Sequence, residues 1–344
     1  MNQQKQNPKR RLPLLRGAFL AILAVGGFVV VGVLIFSNDG TDNHAEAATS
    51  KLKLEDIKFN GQQAYEYLKQ ICAIGPRRSG SLGMEKQQKL LIDHFQKLGA
   101  EVELQKFAVP DPRDGRPVAM TNLIVHWLPK KKERILLCTH YDTLPFPMLD
   151  RRDPQGRFIG ANDGGSGVAL LMELGNEMPK LKDKLKYGVD FVFFDAEEYI
   201  FTPRGRFFLG SEYFSRQYRA APRDYRYRWG VLLDMIGDKD LQIFQESNSM
   251  YWRDTRPLVE DIWETARRLG VREFIPRQKH EIRDDHLPLH NIAGIPTCDI
   301  IDYDYPVSPQ NRFWHTTHDT IDKCSPLSLA KVGWVLREWL ITAP

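Results

Sequence analysis

Apolar residues follow two rhythms along this chain. From about Leu52 onward, runs that are apolar on successive positions, such as Ile135-Leu136-Leu137-Cys138 and Phe191-Val192-Phe193-Phe194, alternate with segments whose apolar residues recur every three or four positions. Short continuous runs predict strands buried on both faces, and the three-to-four spacing predicts helices packed by one face. The predicted strands are Glu103–Val109, Asn122–Trp127, Arg134–Thr139, Val189–Phe194, Gly230–Leu233, Leu241–Phe244 and Thr297–Ile301. The predicted helices are Gln62–Ala73, Met84–Leu98, Gly167–Met178, Ser211–Tyr218, Thr255–Leu269 and Leu327–Leu340. In the second of these, Leu91, Phe95 and Leu98 share a face and Gly99 supplies the stop. Strands alternating with helices predict an α/β fold, a three-layer sandwich with a mixed, mostly parallel central sheet.

A third pattern precedes this domain. Gly17 to Phe36 is an unbroken stretch of twenty uncharged, mostly apolar residues, about the length that crosses a bilayer as a helix. The preceding residues 1–16 carry Lys5, Lys9, Arg10, Arg11 and Arg16 and no acid. Positive charge before the stretch and none directly after it predicts a transmembrane signal anchor, residues 17–36, with a basic cytoplasmic tail and the rest of the chain outside the cytoplasm. A cleaved secretion signal is the competing reading, because Ala45-Glu46-Ala47 fits a small-x-small cleavage site. Residues 37–50 read as a polar linker, and residues 51–344 as one catalytic domain.

Charge and cysteine content narrow the function classes. Lys and Arg number 48 against 44 Asp and Glu, so the formal charge is +4, yet the part after the basic tail is close to neutral. The basic excess therefore belongs to the tail and gives no support to nucleic-acid binding. Four cysteines in 344 residues, with no Cys-x-x-Cys pair, exclude a disulfide framework. Buried thiols are the expected state of those in strands, although export permits a disulfide.

Candidate chemistry collects at the strand ends, where ligands of α/β sheets gather. The strand ending at Thr139 is followed by His140-Tyr141-Asp142, and Asp163 stands in Gly160-Ala-Asn-Asp163-Gly-Gly-Ser-Gly167 just before a helix. The strand ending at Phe194 is followed by Asp195-Ala-Glu197-Glu198, and the strand ending at Leu233 by Asp234. Phe313-Trp314-His315 precedes the last helix. Singly, each of these has an ordinary structural explanation; Asp163 would serve as a helix cap and Glu197-Glu198 as a solvated helix face. Together they form a set of mixed nitrogen and oxygen donors that suits zinc. A bridging carboxylate would allow two ions, and carboxylates gathered without a cation would repel one another. Asp142, two residues past His140, is placed to accept the other ring N–H of that histidine.

These segments resemble the zinc aminopeptidases with a phosphorylase/hydrolase-like fold and their relatives the glutaminyl-peptide cyclotransferases, over roughly Phe59 to Leu340. The resemblance implies His140, Asp163 and Asp234 around one metal, and Asp163 (bridging), Glu198 and His315 around the other. Glu197 is implied to be the general acid/base, and peptide N-termini the substrate. Arg283-Asp284-Asp285-His286-Leu-Pro is similar to the cyclase pattern of two aspartates before a histidine, where peptidases usually carry Ser-Asp-His. It implies that Asp284 joins an acid network with Glu197 and Asp234. Trp314 directly before His315, the long Tyr199–Leu209 loop and Cys138 beside His140 are also cyclase-like.

Other features are similar to the peptidases. Asn162-Asp163-Gly-Gly-Ser-Gly is their pattern, and the Tyr199–Leu209 loop lacks the cyclase tryptophan, leaving Phe201, Phe207 or Phe208 as substitutes. The cysteine that pairs with the equivalent of Cys138 in animal cyclases is also missing. The cyclase branch is favoured, with the aminopeptidase as the alternative and one or two zinc ions as the cofactor. A metal-free binding ectodomain is the reading from another class, and the complete donor set argues against it. Asp284 and Asp285 capping a loop beside Arg283, and Trp314 as a core aromatic, are the structural alternatives for those residues. His318 reads as a surface residue.

Overall fold

The continuous apolar runs form the interior of a six-stranded sheet in the computed structural model, which describes residues 49–202, 204–220, 224–306 and 312–344. The strands are β1 (Glu101–Pro110), β2 (Pro117–Trp127), β3 (Glu133–His140), β4 (Gly188–Phe194), β5 (Arg226–Asp234), β6 (Ile243–Gln245), β7 (Phe274–Gln278) and β8 (Thr297–Ile301). Six of them lie in the order β1-β2-β4-β3-β5-β8. β2 pairs antiparallel with β1 and β4, whereas β4, β3, β5 and β8 run parallel. The expected mixed, mostly parallel sheet is therefore present. The predicted tail and anchor, and the linker up to residue 48, lie outside the described residues. Among the described residues no helix is long and apolar enough to cross a membrane.

Alternate residues of the central strands face two different layers, which is why their runs are apolar throughout. Ile135, Leu137, Phe191, Phe193, Val231 and Leu233 pack with helices α1 (Gly61–Ile74), α2 (Leu82–Lys97) and α3 (Ser166–Leu181). Leu136, Cys138, Val192, Phe194 and Leu232 face the other way, against Phe214 of α4 (Leu209–Ala220) and Leu289. The remaining helices are α5 (Ser247–Tyr251), α6 (Arg256–Leu269), α7 (His286–Pro288) and α8 (Pro326–Thr342), with α6 and α8 on the first face. Helix starts follow local chemistry: Asn60 Oδ1 accepts from Gln63 N at 3.0 Å and Ser81 Oγ from Met84 N at 3.2 Å.

Two features differ from the expectation. The segment predicted as strand Leu241–Phe244 is not in the main sheet; its last residues form β6, which pairs with β7 in a separate ribbon. β7 escaped the periodicity because Pro276, Arg277 and Gln278 are exposed and interrupt any apolar run. The end of the linker also docks on the domain. Ser50 N donates to Glu273 Oε1 at 2.9 Å, and Lys331 Nζ donates to the same oxygen at 2.7 Å.

A buried charge cluster ties the amino-terminal ends of β3, β4 and β5 together. Arg134 Nε donates to Asp190 Oδ2 at 2.9 Å, Tyr227 Oη donates to the same oxygen at 2.6 Å, and His126 Nδ1 lies 2.8 Å from Asp190 Oδ1. Burial alone would push the His126 pKa down, but hydrogen bonds to Asp190 and Glu103 outweigh it and raise it to about 9. Removing one partner of a buried pair strands the other. Asp190→Asn is accordingly expected to cost about 3–5 kcal/mol of stability in urea unfolding. Since His126 binds its proton more tightly when folded, its contribution is complete below about pH 6.5 and is lost as pH rises through about 9. The urea midpoint should fall over that window, and His126→Gln should flatten the fall.

Candidate metal centre and active site

Parallel strands β3, β4 and β5 end on the same edge of the sheet, and each hands a polar residue to that edge. His140 is the last residue of β3 and Asp234 the last of β5. Glu197 and Glu198 lie in the turn after β4, Asp163 in the loop before α3, and His315 in the loop between β8 and α8. His140 Nε2 lies 3.1 Å from Asp163 Oδ1 and 3.2 Å from Asp234 Oδ1. On the other side His315 Nε2 lies 3.5 Å from Asp163 Oδ2 and 3.2 Å from Glu198 Oε2. Asp163 thus turns one oxygen to each group of three, and within each group the donor atoms lie within 4.8 Å of one another.

These residues fit a bound divalent cation. Glu198 Oε1 accepts from Leu144 N, but Oε2 is buried with no hydrogen-bond partner, as is Asp163 Oδ2. Both orphaned oxygens face His315 Nε2. Burial and the neighbouring Asp163 charge push the Glu198 carboxyl well above the ordinary carboxylate range, a cost that a cation between the two removes. Two imidazoles with three carboxylates form a donor set suited to zinc.

The loops that carry these donors are themselves tied down by buried polar groups. Asp142 has a different part from the expected one. Its carboxylate stands 3.7 Å from His140 Nδ1, too far for a hydrogen bond, and accepts instead from Glu197 N at 3.0 Å and Glu198 N at 3.2 Å. Asp319 does the same for the Asp163 loop, accepting from Asn162 N at 2.9 Å and Asp163 N at 3.1 Å. The buried Arg77 guanidinium donates to the carbonyls of Ile159 at 2.6 Å and Gly160 at 2.8 Å in that loop. Neither Asp319 nor Arg77 stood out in the sequence; the first lies four residues past His315, and no local pattern separates it from a turn residue. Six non-glycine residues have positive φ among the described residues, and Ala196, Phe208, Met235 and His315 of these sit at this edge. Such backbone is held only where the surroundings over-determine it.

A cavity of about 290 Å³ opens beside the donors. Glu197, Asp234 and Asp284 line one part of it, and Phe207, Phe208, Ile282, Tyr303 and Trp314 supply apolar and aromatic wall. Trp314 stacks on His315 with ring centroids 4.0 Å apart. Of the three phenylalanines considered for the missing indole, Phe207 and Phe208 line the cavity, while Phe201 packs on Tyr199 and Phe146. Burial, reinforced by the charges of Asp284 and Glu198 and opposed by His140, pushes the Glu197 pKa well up. Burial, then Asp234 and Asp285, do the same for Asp284. Asp285 points elsewhere, accepting from Ser211 Oγ. His318 is exposed, as expected, and all four cysteines are free.

The sequence model of peptidase family M28 matches residues 122–340, a span that holds every donor named above. The chain belongs to this family. Within it, the bovine glutaminyl-peptide cyclotransferase is 25% identical over 301 residues, covering 77% of this chain and 78% of the relative. An aminopeptidase of Bacillus subtilis is 24% identical over 208 residues, 59% of this chain and 40% of the relative. Among solved structures, glutaminyl cyclase from Fimbriiglobus ruber superposes with a TM-score of 0.78 at 37% identity, over 86% of this chain and 98% of that one. A zinc-dependent exopeptidase from Parabacteroides distasonis gives 0.74 at 31%, over 82% and 98%. The family relationship and the donor geometry lead to the same test. Asp163→Ala should abolish zinc retention on dialysis, because Asp163 serves both groups, whereas His315→Ala should weaken only one. Zinc content measured by mass spectrometry checks the order; equal content in Asp163→Ala and the parent would refute the assignment.

Proposed function

We propose that this protein is a zinc-dependent glutaminyl-peptide cyclotransferase, which closes N-terminal glutamine to pyroglutamate and releases ammonia. The observation that carries the reading is the buried carboxyl of Asp284 in the same cavity as Glu197 and Asp234. Likeness to the Fimbriiglobus ruber glutaminyl cyclase over most of both chains supports it. Zinc held by Asp163, Glu198 and His315 would supply Lewis-acid polarisation of the substrate's side-chain amide carbonyl.

The remaining work falls to this chain's own residues. The cavity walls of Phe207, Phe208 and Trp314 enclose the glutaminyl side chain and keep bulk water from it. The substrate's α-amine attacks its own side-chain carbonyl carbon, a ring closure in which proximity supplies much of the rate. Glu197 takes the proton from the attacking nitrogen and returns it to the amide nitrogen as the carbon–nitrogen bond breaks, so ammonia leaves. The raised Glu197 pKa suits a group that both accepts and donates at neutral pH. Asp284 and Asp234 flank this carboxyl as acceptors for the α-amine and the shared proton.

A second reading, zinc aminopeptidase, is favoured by one observation: Asp163 turns an oxygen to each of two donor groups, the arrangement that would hold two ions and activate a water. A non-catalytic ectodomain is disfavoured, since no donor and no acid/base residue is replaced. The apolar stretch 17–36 supports a catalytic domain anchored outside the cytoplasm.

Gln-Phe-Ala and Leu-Phe-Ala, followed by mass spectrometry with the zinc-loaded protein, separate the readings. Loss of ammonia from the first with the second untouched is the expected result; release of free leucine would establish the peptidase instead. Glu197→Gln should keep its zinc and lose activity by about 10²–10⁴-fold. Asp284→Asn should cripple a cyclase and affect a peptidase only mildly.

A further inference from the structure

One wall of the cavity is made by Ile282, Arg283 and Asp284, which belong to no helix or strand but to the loop joining β7 to α7. What holds this loop lies behind it, in a part of the chain that the site does not otherwise use. Glu246, only 2% exposed, follows β6 and caps α5. Its Oε1 accepts from Asn248 N at 2.8 Å and Oε2 from Ser249 N at 2.7 Å and Ser249 Oγ at 2.8 Å, which is all that capping requires. Yet Oε1 also accepts from Ile282 N at 3.1 Å, and Asn248 Nδ2 donates to Ile282 O at 3.2 Å. Both polar atoms of the Ile282 backbone are thus fixed by the start of α5.

The same carboxylate faces His286, the first residue of α7 and fully buried. His286 Nε2 stands 3.5 Å from Glu246 Oε2, and its Nδ1 stands 3.7 Å from Asp299 Oδ2 on β8. Trp252, whose face stacks on His290, packs at a tilt against the His286 ring, with centroids 5.6 Å apart. Burial opposes charge on Glu246, but the imidazole and the amides outweigh it and hold its pKa down at about 2. The buried carboxylate thus bonds the segment before Asp284 through Ile282 N and lies against the His286 ring in the segment after it.

We propose that Glu246 and His286 are positioning residues that hold the Ile282–Asp284 wall, and with it the Asp284 carboxyl, in register with Glu197. Neither Glu246 nor His286 is a metal donor or lines the cavity itself. This clamping role rests on the reading of that cavity as the active site, and a displacement of about 1 Å remote from the chemistry is enough to slow a reaction about 10²-fold.

The test uses Glu246→Gln, which keeps the shape but puts a donor where Ser249 and Ile282 need an acceptor, together with His286→Gln and the double variant. Zinc content should match the parent. Turnover of whichever of the two tripeptides the parent accepts should fall between about 10- and 100-fold in kcat, with KM little changed. The double variant should be no worse than the worse single one. Amide hydrogen exchange, read without any substrate, should speed up at least about tenfold in the peptide spanning 282–286 and stay unchanged in the one spanning 159–166. Asn248→Ala leaves no buried charge behind and should give a smaller change in the same direction should Glu246→Gln fail to fold. Unchanged exchange over 282–286 in every variant overturns the clamp, as does unchanged kcat in an active parent background. A parent that processes neither tripeptide overturns the functional reading alone, and exchange still decides the clamp.

Discussion

At the edge of the sheet, Asp163 lies within 4.8 Å of Asp234 on one side and Glu198 on the other, in a region where little water reaches to screen them. Two like charges 4 Å apart cost about 4 kcal/mol even at an intermediate dielectric. That repulsion is the constraint on which the remaining architecture depends. A divalent cation answers it directly, and the two histidines complete the donor set while adding no negative charge. Burial and their neighbours' charges push the carboxyls that no cation would touch, Glu197 and Asp284, up from the ordinary carboxylate range, the direction that a proton-transferring site needs.

Such a cluster stays in place only if the backbone beneath it cannot relax. The same device recurs around the site: a buried carboxylate accepts one or two amide N–H groups from the loop that presents a functional residue. Asp142 does this for Glu197 and Glu198, Asp319 for Asp163, and Glu246 for Ile282 ahead of Asp284. Each support lies far along the chain from part of what it holds. The positive φ values at Ala196, Met235 and His315 are sustained by this over-determination, so the folded framework carries the strain of aiming the side chains.

The sheet was legible because its central strands are covered on both faces, and double coverage writes itself into the sequence as unbroken apolar runs. Of the β6–β7 ribbon only β6 was, within Leu241–Phe244; β7 is short and its last three residues are exposed, leaving no run to detect. Among site residues, the donors were legible as a group because each follows directly on a strand or precedes a helix. Asp319, Arg77 and Glu246 left no such mark. Their value lies in which amides or carbonyls they meet, and those partners are up to 157 positions away.

By itself the sequence determined the kinds of donors and the edge at which they gather, because strand direction in an α/β sheet is settled by the alternation of elements. Tertiary structure decided which atoms meet. Only there does one oxygen of Asp163 face His140 and the other His315, does Asp142 turn from a ring nitrogen to two backbone amides, and does Phe207 rather than Phe201 reach the cavity. The reason is physical: residue type and spacing follow from local periodicity, whereas the direction of a side chain leaving a loop is set by long-range hydrogen bonds that no window of sequence contains.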